Sequence, residues 1–250
     1  MLDRPCGPLL ACEADLPSED CPPLKDYRTA RTLQVYTLRA GEFLKKWPER
    51  SYRIPPLLRR LTEDLPRDAR ILDAGCGPGQ DSRYLAARGF RTLGLDACEP
   101  FIRQARKRSP ALWWIRADLR QLPLGPECFD AVWAAASLIH LSRSETCRAL
   151  EALCGHVKPG GLLAATFAHG TASGHAVGGW LPGRYFSRWL KAGLIRAAAA
   201  AGWRIERVEV VCHRERRGRW INLLARRPSF ALKTVSASRR GRRSPSRAPA

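Results

Sequence analysis

Ile71-Leu72-Asp73-Ala74-Gly75-Cys76-Gly77-Pro78-Gly79 runs from a short apolar strand straight into a glycine-rich turn. A helix follows, and the next apolar run, Thr92-Leu93-Gly94-Leu95-Asp96, ends on an acid. Glycine lets a backbone loop approach a ligand that any Cβ would push away. A carboxylate closing the second strand can accept hydrogen bonds from both hydroxyls of a ribose. Strand, glycine turn, helix, strand and acid together lay out a nucleoside-binding site at the carboxyl end of a parallel sheet.

Spacing separates two users of that layout. The dinucleotide fingerprint is GxGxxG, with a helix N-terminus aimed at a pyrophosphate. Here the glycines fall as GxGxG, Pro78 lies between the second and third, and Gln80 stands at the dinucleotide position. Asp81, near the helix start, would repel a phosphate and tolerate a cationic amine.

Further stretches follow in order: Ala117-Asp118-Leu119, then Cys128-Phe129-Asp130-Ala131-Val132-Trp133-Ala134, then Lys158-Pro159-Gly160-Gly161-Leu162-Leu163-Ala164-Ala165-Thr166. In this order and spacing the chain resembles the class I S-adenosylmethionine-dependent methyltransferases of generic small-molecule type, over roughly residues 25 to 227. The resemblance implies an α/β fold, a doubly wound Rossmann-like seven-stranded sheet, mostly parallel with an antiparallel closing hairpin. It implies S-adenosylmethionine as cofactor. Asp96, followed by Ala97, would hold the ribose, Asp118 the adenine amino group and Leu119 the adenine edge through its backbone. Gly75, Cys76, Gly77 and Gly79 would face the methionine part, with Asp73 either bracing that loop or touching the ligand, and Ala134, at the end of the fourth strand, would also bind the cofactor.

The acceptor side is less legible. His140, in Ser137-Leu138-Ile139-His140-Leu141, is the candidate general base, because an imidazole is part-neutral near physiological pH. The alternative is a histidine that hydrogen-bonds backbone at the strand's end. Tyr36, Trp47 and Tyr52 belong either to a lid over the site or to ordinary helix packing. Tyr185, Arg188 and Trp189 lie in an insert at 168–189 that either caps the pocket or covers a sheet edge. The expected reaction is methyl transfer to an oxygen, nitrogen, sulfur or activated carbon of a small molecule. Two alternatives stay open. One is an RNA enzyme, similar to those that esterify carboxymethylated wobble uridine in tRNA, although the paired histidines of that group are missing around Ile139-His140-Leu141. The other is a non-catalytic relative that binds the cofactor or a protein.

Charge and composition set the frame. The chain has 250 residues and a net charge of +20, and 36 of its 43 basic residues are arginine. Residues 1–26 hold six acids against two bases and read as a disordered, Pro-rich leader. Residues 226–250 hold eight bases and no acid, and from 228 onward the chain reads as a disordered basic tail. Residues 27–227 are the expected domain. A basic body suits RNA, but arginine bias with much alanine, glycine and proline explains it without one. Nine cysteines without a CxxC pair suggest buried reduced thiols, no metal site and the cytoplasm. No apolar run is long enough for a membrane span.

Coarse periodicity predicts helices over 27–47, 56–65, 81–88, 100–108, 144–156 and 189–201, and closing strands over 203–212 and 219–226.

Overall fold

The computed structural model describes residues 27–48, 52–212 and 218–229. The expected disorder of residues 1–26 and most of the basic tail lies outside them.

One sheet organises the molecule. Its main strands are β1 (Arg70–Ala74), β2 (Arg91–Asp96), β3 (Trp113–Arg116), β4 (Phe129–Ala135), β5 (Val157–His169), β9 (Arg204–Cys212) and β10 (Arg219–Arg226). Between β5 and β9 the insert adds three two-residue strands, β6 (Gly174–His175), β7 (Tyr185–Phe186) and β8 (Arg188–Trp189). The order in the main sheet is β3-β2-β1-β4-β5-β10-β9; β8 pairs with the end of β5, and β6 with β7 forms a separate ribbon. Pairing is parallel from β3 through β5, whereas β10 runs antiparallel to both β5 and β9. The sheet is thus the expected one with an eighth short strand added by the insert.

The central strands sort their side chains by parity. Ile71, Ala131, Trp133, Leu162 and Ala164 join one buried cluster with Leu57, Leu58 and Leu61 of α3 (Pro56–Glu63) and Leu85 of α4 (Gln80–Ala87). Leu72, Val132, Ala134, Leu163 and Ala165 face the other cluster, with Leu150 and Leu153 of α6 (Arg143–His156) and Leu194 of α7 (Lys191–Ala200). A period of two buried on both faces is what a doubly wound parallel sheet requires.

Two sequence expectations shift. The helix expected over 27–47 is two helices, α1 (Tyr27–Leu38) and α2 (Ala40–Lys46), broken at Arg39 with φ −113° and ψ 23°. The break lets Phe43 reach Phe101 of α5 (Glu99–Arg108), their ring centroids 4.7 Å apart. The helix expected from Trp189 starts at Lys191, because Trp189 pairs with His169 in the sheet and Leu190 is extended. At α6, Ser142 is the cap: its hydroxyl accepts from the Glu145 amide while the Glu145 carboxylate accepts from the Ser142 amide.

Candidate functional site

The turn after β1 is tied to β2 by its own backbone. The amides of Gly75 and Cys76 both donate to the Leu95 carbonyl, at 2.7 and 2.9 Å. Asp96 completes the tie, one carboxylate oxygen accepting from the Gly77 amide and the other from the Cys98 amide, each at 2.8 Å. Burial raises the Asp96 pKa, and the two amide bonds partly offset that. Each oxygen keeps a second lone pair for a hydroxyl.

The glycines of this loop divide the work. A Cβ on Gly75, whose φ is +86°, would fall 2.2 Å from the Ser137 Cβ, and one on Gly79 would fall 2.3 Å from the Trp114 ring. Those two glycines therefore make room for protein rather than for a ligand. Gly77, at φ +54°, meets nothing within 4 Å and is the open part of the cradle. Against Gly75 the Ser137 hydroxyl is buried without a hydrogen-bond partner among the described residues. An orphan hydroxyl costs free energy unless something polar meets it, so it suits a ligand's polar group. Ser137 follows Ala136, a non-glycine at φ 55° whose amide donates to the Thr166 hydroxyl at 2.9 Å. Such strain collects where a site is being shaped.

Asp73 is buried and accepts from the Ser82 hydroxyl at 2.5 Å. Burial, then the neighbouring Asp81 carboxylate, holds its pKa well above the usual range. It braces the loop onto α4. Burial and nearby Asp73 likewise push the Cys76 thiol up. Ala97 is half-buried directly after Asp96.

Two residues expected at the cofactor are engaged with protein. Ala134 is fully buried and packed in the core, and Ala135 to Ser137 form the half-buried end of β4. Asp118 turns its carboxylate onto Arg120, with Nη2 at 2.7 Å, and Arg120 reaches on to Glu145 at 2.9 Å. Those ion pairs raise the Arg120 pKa. Burial alone would raise Glu145, but bonds from Ser142 and Arg120 outweigh it and hold it low. Asp118 thus pins the segment after β3, where Leu119 is half-buried, to α6.

Over this cradle lies a cap built from α1, α2 and the insert. His140 ends the 3-10 turn after β4, and its Nδ1 lies 2.7 Å from the Tyr185 carbonyl. A carbonyl only accepts, so Nδ1 carries the proton and Nε2 accepts from the Tyr36 hydroxyl at 2.9 Å. Burial lowers the His140 pKa to about 4. Both nitrogens are engaged, so this imidazole clamps the cap rather than standing free as a general base. Tyr36 also packs on Phe43 and Phe101, the latter one turn beyond Cys98, which joins the lid to the Asp96 side of the cradle. Burial lifts the Cys98 thiol to about 12.

Tyr52 donates to Asp81 at 2.6 Å, and Trp133 donates to the other oxygen of Asp81 at 2.7 Å. Burial and Asp81 push the Tyr52 phenol well up. Trp47 lies near Trp180 and accepts from Gln80 through its carbonyl at 3.2 Å, another link from lid to loop. Tyr185 contributes mainly backbone: its amide donates to Thr32, while its ring packs on His175. Arg188 and Trp189 do not join this cluster. Arg188 is exposed in β8 and lies across Gly170, and Trp189 is buried in the core. Sequence reasoning misses Ser137, whose importance rests on an approach to Gly75 across 62 residues, and Arg184, which lies inside the cap; neither sits in a periodic pattern. Among the described residues, no group of three or more His, Cys, Asp or Glu side chains is placed to hold a metal ion, and no helix is long and apolar enough to cross a membrane.

A family described as "Methyltransferase domain" matches residues 71–161. The malonyl-[acyl-carrier protein] O-methyltransferase of Pseudescherichia vulneris is 38% identical over 110 residues, 44% of this chain and 42% of that one. The trans-aconitate 2-methyltransferase of Azoarcus sp. (strain BH72) is 32% identical over 166 residues, 65% of this chain and 63% of that one. The chain thus spans about two fifths of the first relative and under two thirds of the second. Among solved structures, the Burkholderia thailandensis 1,6-didemethyltoxoflavin-N1-methyltransferase, with bound 1,6-didemethyltoxoflavin and S-adenosylhomocysteine, superposes with TM-score 0.65 at 18% identity, covering 83% of this chain and 93% of that one. The [4+2]-cyclase SpnF superposes with TM-score 0.66 at 21% identity, covering 80% and 97%. One fold therefore serves a methyltransferase and a cyclase, and at these identities it speaks for architecture alone. The matched methyltransferase domain thus covers the glycine turn, Asp96 and the strands as far as the start of β5, and the relatives that share it are methyltransferases.

Proposed function

We propose that this chain transfers a methyl group from S-adenosylmethionine to an oxygen, nitrogen, sulfur or activated carbon of a small molecule. The observation that carries the reading is the bridge from Asp96 to the Gly77 and Cys98 amides, which leaves Gly77 open in a loop whose Gly75 packs on the orphan Ser137 hydroxyl. These residues fit the cofactor: Asp96 would take the ribose, and Gly77 with Ser137 the methionine part. Leu119 would flank the adenine, with Asp118 fixing its segment through Arg120.

When bound, the cofactor supplies an electrophilic methyl carbon. The protein's tasks are then to exclude water and to hold the acceptor in line, which alone can supply a large effective molarity. Tyr36, Phe43, Phe101, Trp180 and Phe186 line the cap's aromatic interior and do the first. The proposed unit runs over residues 27–227, with α1 and α2 as lid and 168–189 as cap, acting in the cytoplasm.

Calorimetric titration with S-adenosylmethionine tests the reading. Micromolar binding by the wild type, weakened at least tenfold in Asp96→Ala, is expected. A folded wild type that takes up no cofactor rejects it.

A further inference from the structure

Arg184 places a guanidinium at the heart of the cap's aromatic cluster. Its Cζ lies 5.1 Å from the ring centroids of Trp180 and Phe186 and 5.4 Å from that of Tyr36. Nε donates to the Leu181 carbonyl at 2.9 Å and Nη1 to the Tyr36 hydroxyl at 3.0 Å. The segment bearing it is fixed by paired backbone bonds between Ala176 and both Gly183 and Arg184, each 2.8 Å. Among the described residues no carboxylate pairs with Arg184, and Nη2 has no hydrogen-bond partner. The other half-buried guanidinium of the site, Arg120, is matched by two carboxylates.

A guanidinium keeps its charge at any ordinary pH. Ring faces compensate part of the cost of holding it away from water, yet they supply no anion. The cation shares Tyr36 with His140, so it sits where the lid meets the end of β4. A half-buried cation packed on aromatic rings beside the end of β4, with no carboxylate paired to it among the described residues, is suited to receive an anion.

We propose that the acceptor is a small carboxylic acid, that Arg184 binds its carboxylate, and that the methyl group is placed on a carboxylate oxygen. The inference rests on the methyl-transfer reading above and narrows its substrate class. A single guanidinium suits a singly charged carboxylate; a phosphate dianion calls for more donors. The step balances without a base. A lone pair on one carboxylate oxygen forms the O–C bond, and the pair of the breaking C–S bond stays on sulfur. Sulfonium and carboxylate charges are both neutralised, and no proton moves. A site whose imidazole is occupied on both nitrogens can run this reaction. The ester product has lost the charge that Arg184 held, so the same residue that admits the acid loosens its grip on the product.

The test is a panel of mono-, di- and tricarboxylic acids, with matching alcohols, amines and thiols, incubated with the full chain and S-adenosylmethionine carrying a labelled methyl group. Methyl esters release their label in alkali, whereas methyl groups on nitrogen, sulfur, carbon or ether oxygen do not. Alkali-labile label confined to acids, with KM raised roughly 30-fold in Arg184→Met, as loss of a charge-assisted bond implies, and partly restored in Arg184→Lys, is expected. A second readout needs no turnover: the best acid should raise the melting temperature of the wild type loaded with S-adenosylhomocysteine and leave Arg184→Met unmoved. Alkali-stable label on alcohols, amines or thiols overturns the inference while leaving methyl transfer intact. So does cofactor binding with no acid methylated, or an acid bound equally by wild type and Arg184→Met. Failure to bind the cofactor at all defeats the wider reading instead.

Discussion

The cradle and the cap of this site are built by opposite means. The cradle uses backbone amides and one carboxylate from residues 73 to 98, contiguous in sequence. The cap uses side chains brought together from far apart: Tyr36 meets His140 across 104 residues, and Arg184 reaches Tyr36 across 148. Backbone geometry tolerates few residue types and so leaves a spelling in the chain. Side-chain clusters can be assembled from many aromatic and basic choices and leave almost none. The cradle is therefore legible from the chain, and the cap is not.

The largest effect should come from adding one carbon to the cradle. Gly75→Ala places a Cβ 2.2 Å from that of Ser137 at a φ of +86°. Overpacking plus a left-handed non-glycine predicts a loss of about 3 kcal/mol or more, measurable by urea unfolding. Gly77→Ala, at φ +54° in open space, should cost only about 1 kcal/mol, yet weaken S-adenosylmethionine binding in calorimetry. Equal stability losses for the two would erase the distinction between glycines that serve the protein and the one that serves the ligand.

Next in size is Asp96→Ala. It removes a hydroxyl acceptor and also orphans the Gly77 and Cys98 amides. A stability loss of about 2 kcal/mol should accompany the weaker cofactor binding. Asp96→Asn can still accept from one of the two amides and should recover part of the stability, though not the charge. Full cofactor affinity in the alanine variant would show that the ribose is held elsewhere.

These cradle residues are legible because each does a job only its type can do. Gly75, Gly77 and Asp96 stand in the sequence where the chemistry demands them, and the alternation along β1, β4 and β5 announces a sheet covered on both faces. The end of β4 is harder to place, by one to three residues. Ala134, Ala135 and Ala136 are identical side chains and give no hint where burial ends; only the left-handed turn at Ala136 marks it. Nothing in Ala117-Asp118-Leu119-Arg120 says that Arg120 folds back two residues to pair with Asp118. Trp189 and Arg188 read equally as cap or sheet edge, and only a two-residue pairing with β5 decides for the edge. The break at Arg39 is tertiary too: it follows from Phe43 seeking Phe101, not from a breaker residue.

The cap carries a pH response of its own through His140. The folded structure holds His140 at about 4, below its ordinary 6.5. Between those values the unfolded chain takes up a proton that the folded one refuses. Above pH 6.5 the residue contributes no pH dependence; as pH falls towards 4 stability drops, by up to about 2 kcal/mol after allowance for partial exposure. The melting temperature should fall over that window in the wild type and less steeply in His140→Gln. Matching slopes would mean that the clamp on Tyr36 and Tyr185 opens before unfolding.

The smallest effect should come from cutting the chain after Arg227. Arg227 still belongs to the sheet: its amide donates to the Gly161 carbonyl at 2.9 Å, its carbonyl accepts from Gly160, and Nη2 meets Glu127 at 2.8 Å. Those bonds sit at the start of β5, the opposite end of that strand from its Thr166 contact with Ala136. Neither cradle nor cap receives a described contact from residues 228 and 229. Truncation there should leave S-adenosylmethionine affinity within about twofold and stability within about 0.5 kcal/mol. A larger loss of affinity would move the domain boundary outward and give the basic tail a part in the site; cutting instead before Arg226 removes its bond to Gly160 and its pair with Glu206, and should destabilise the closing hairpin outright.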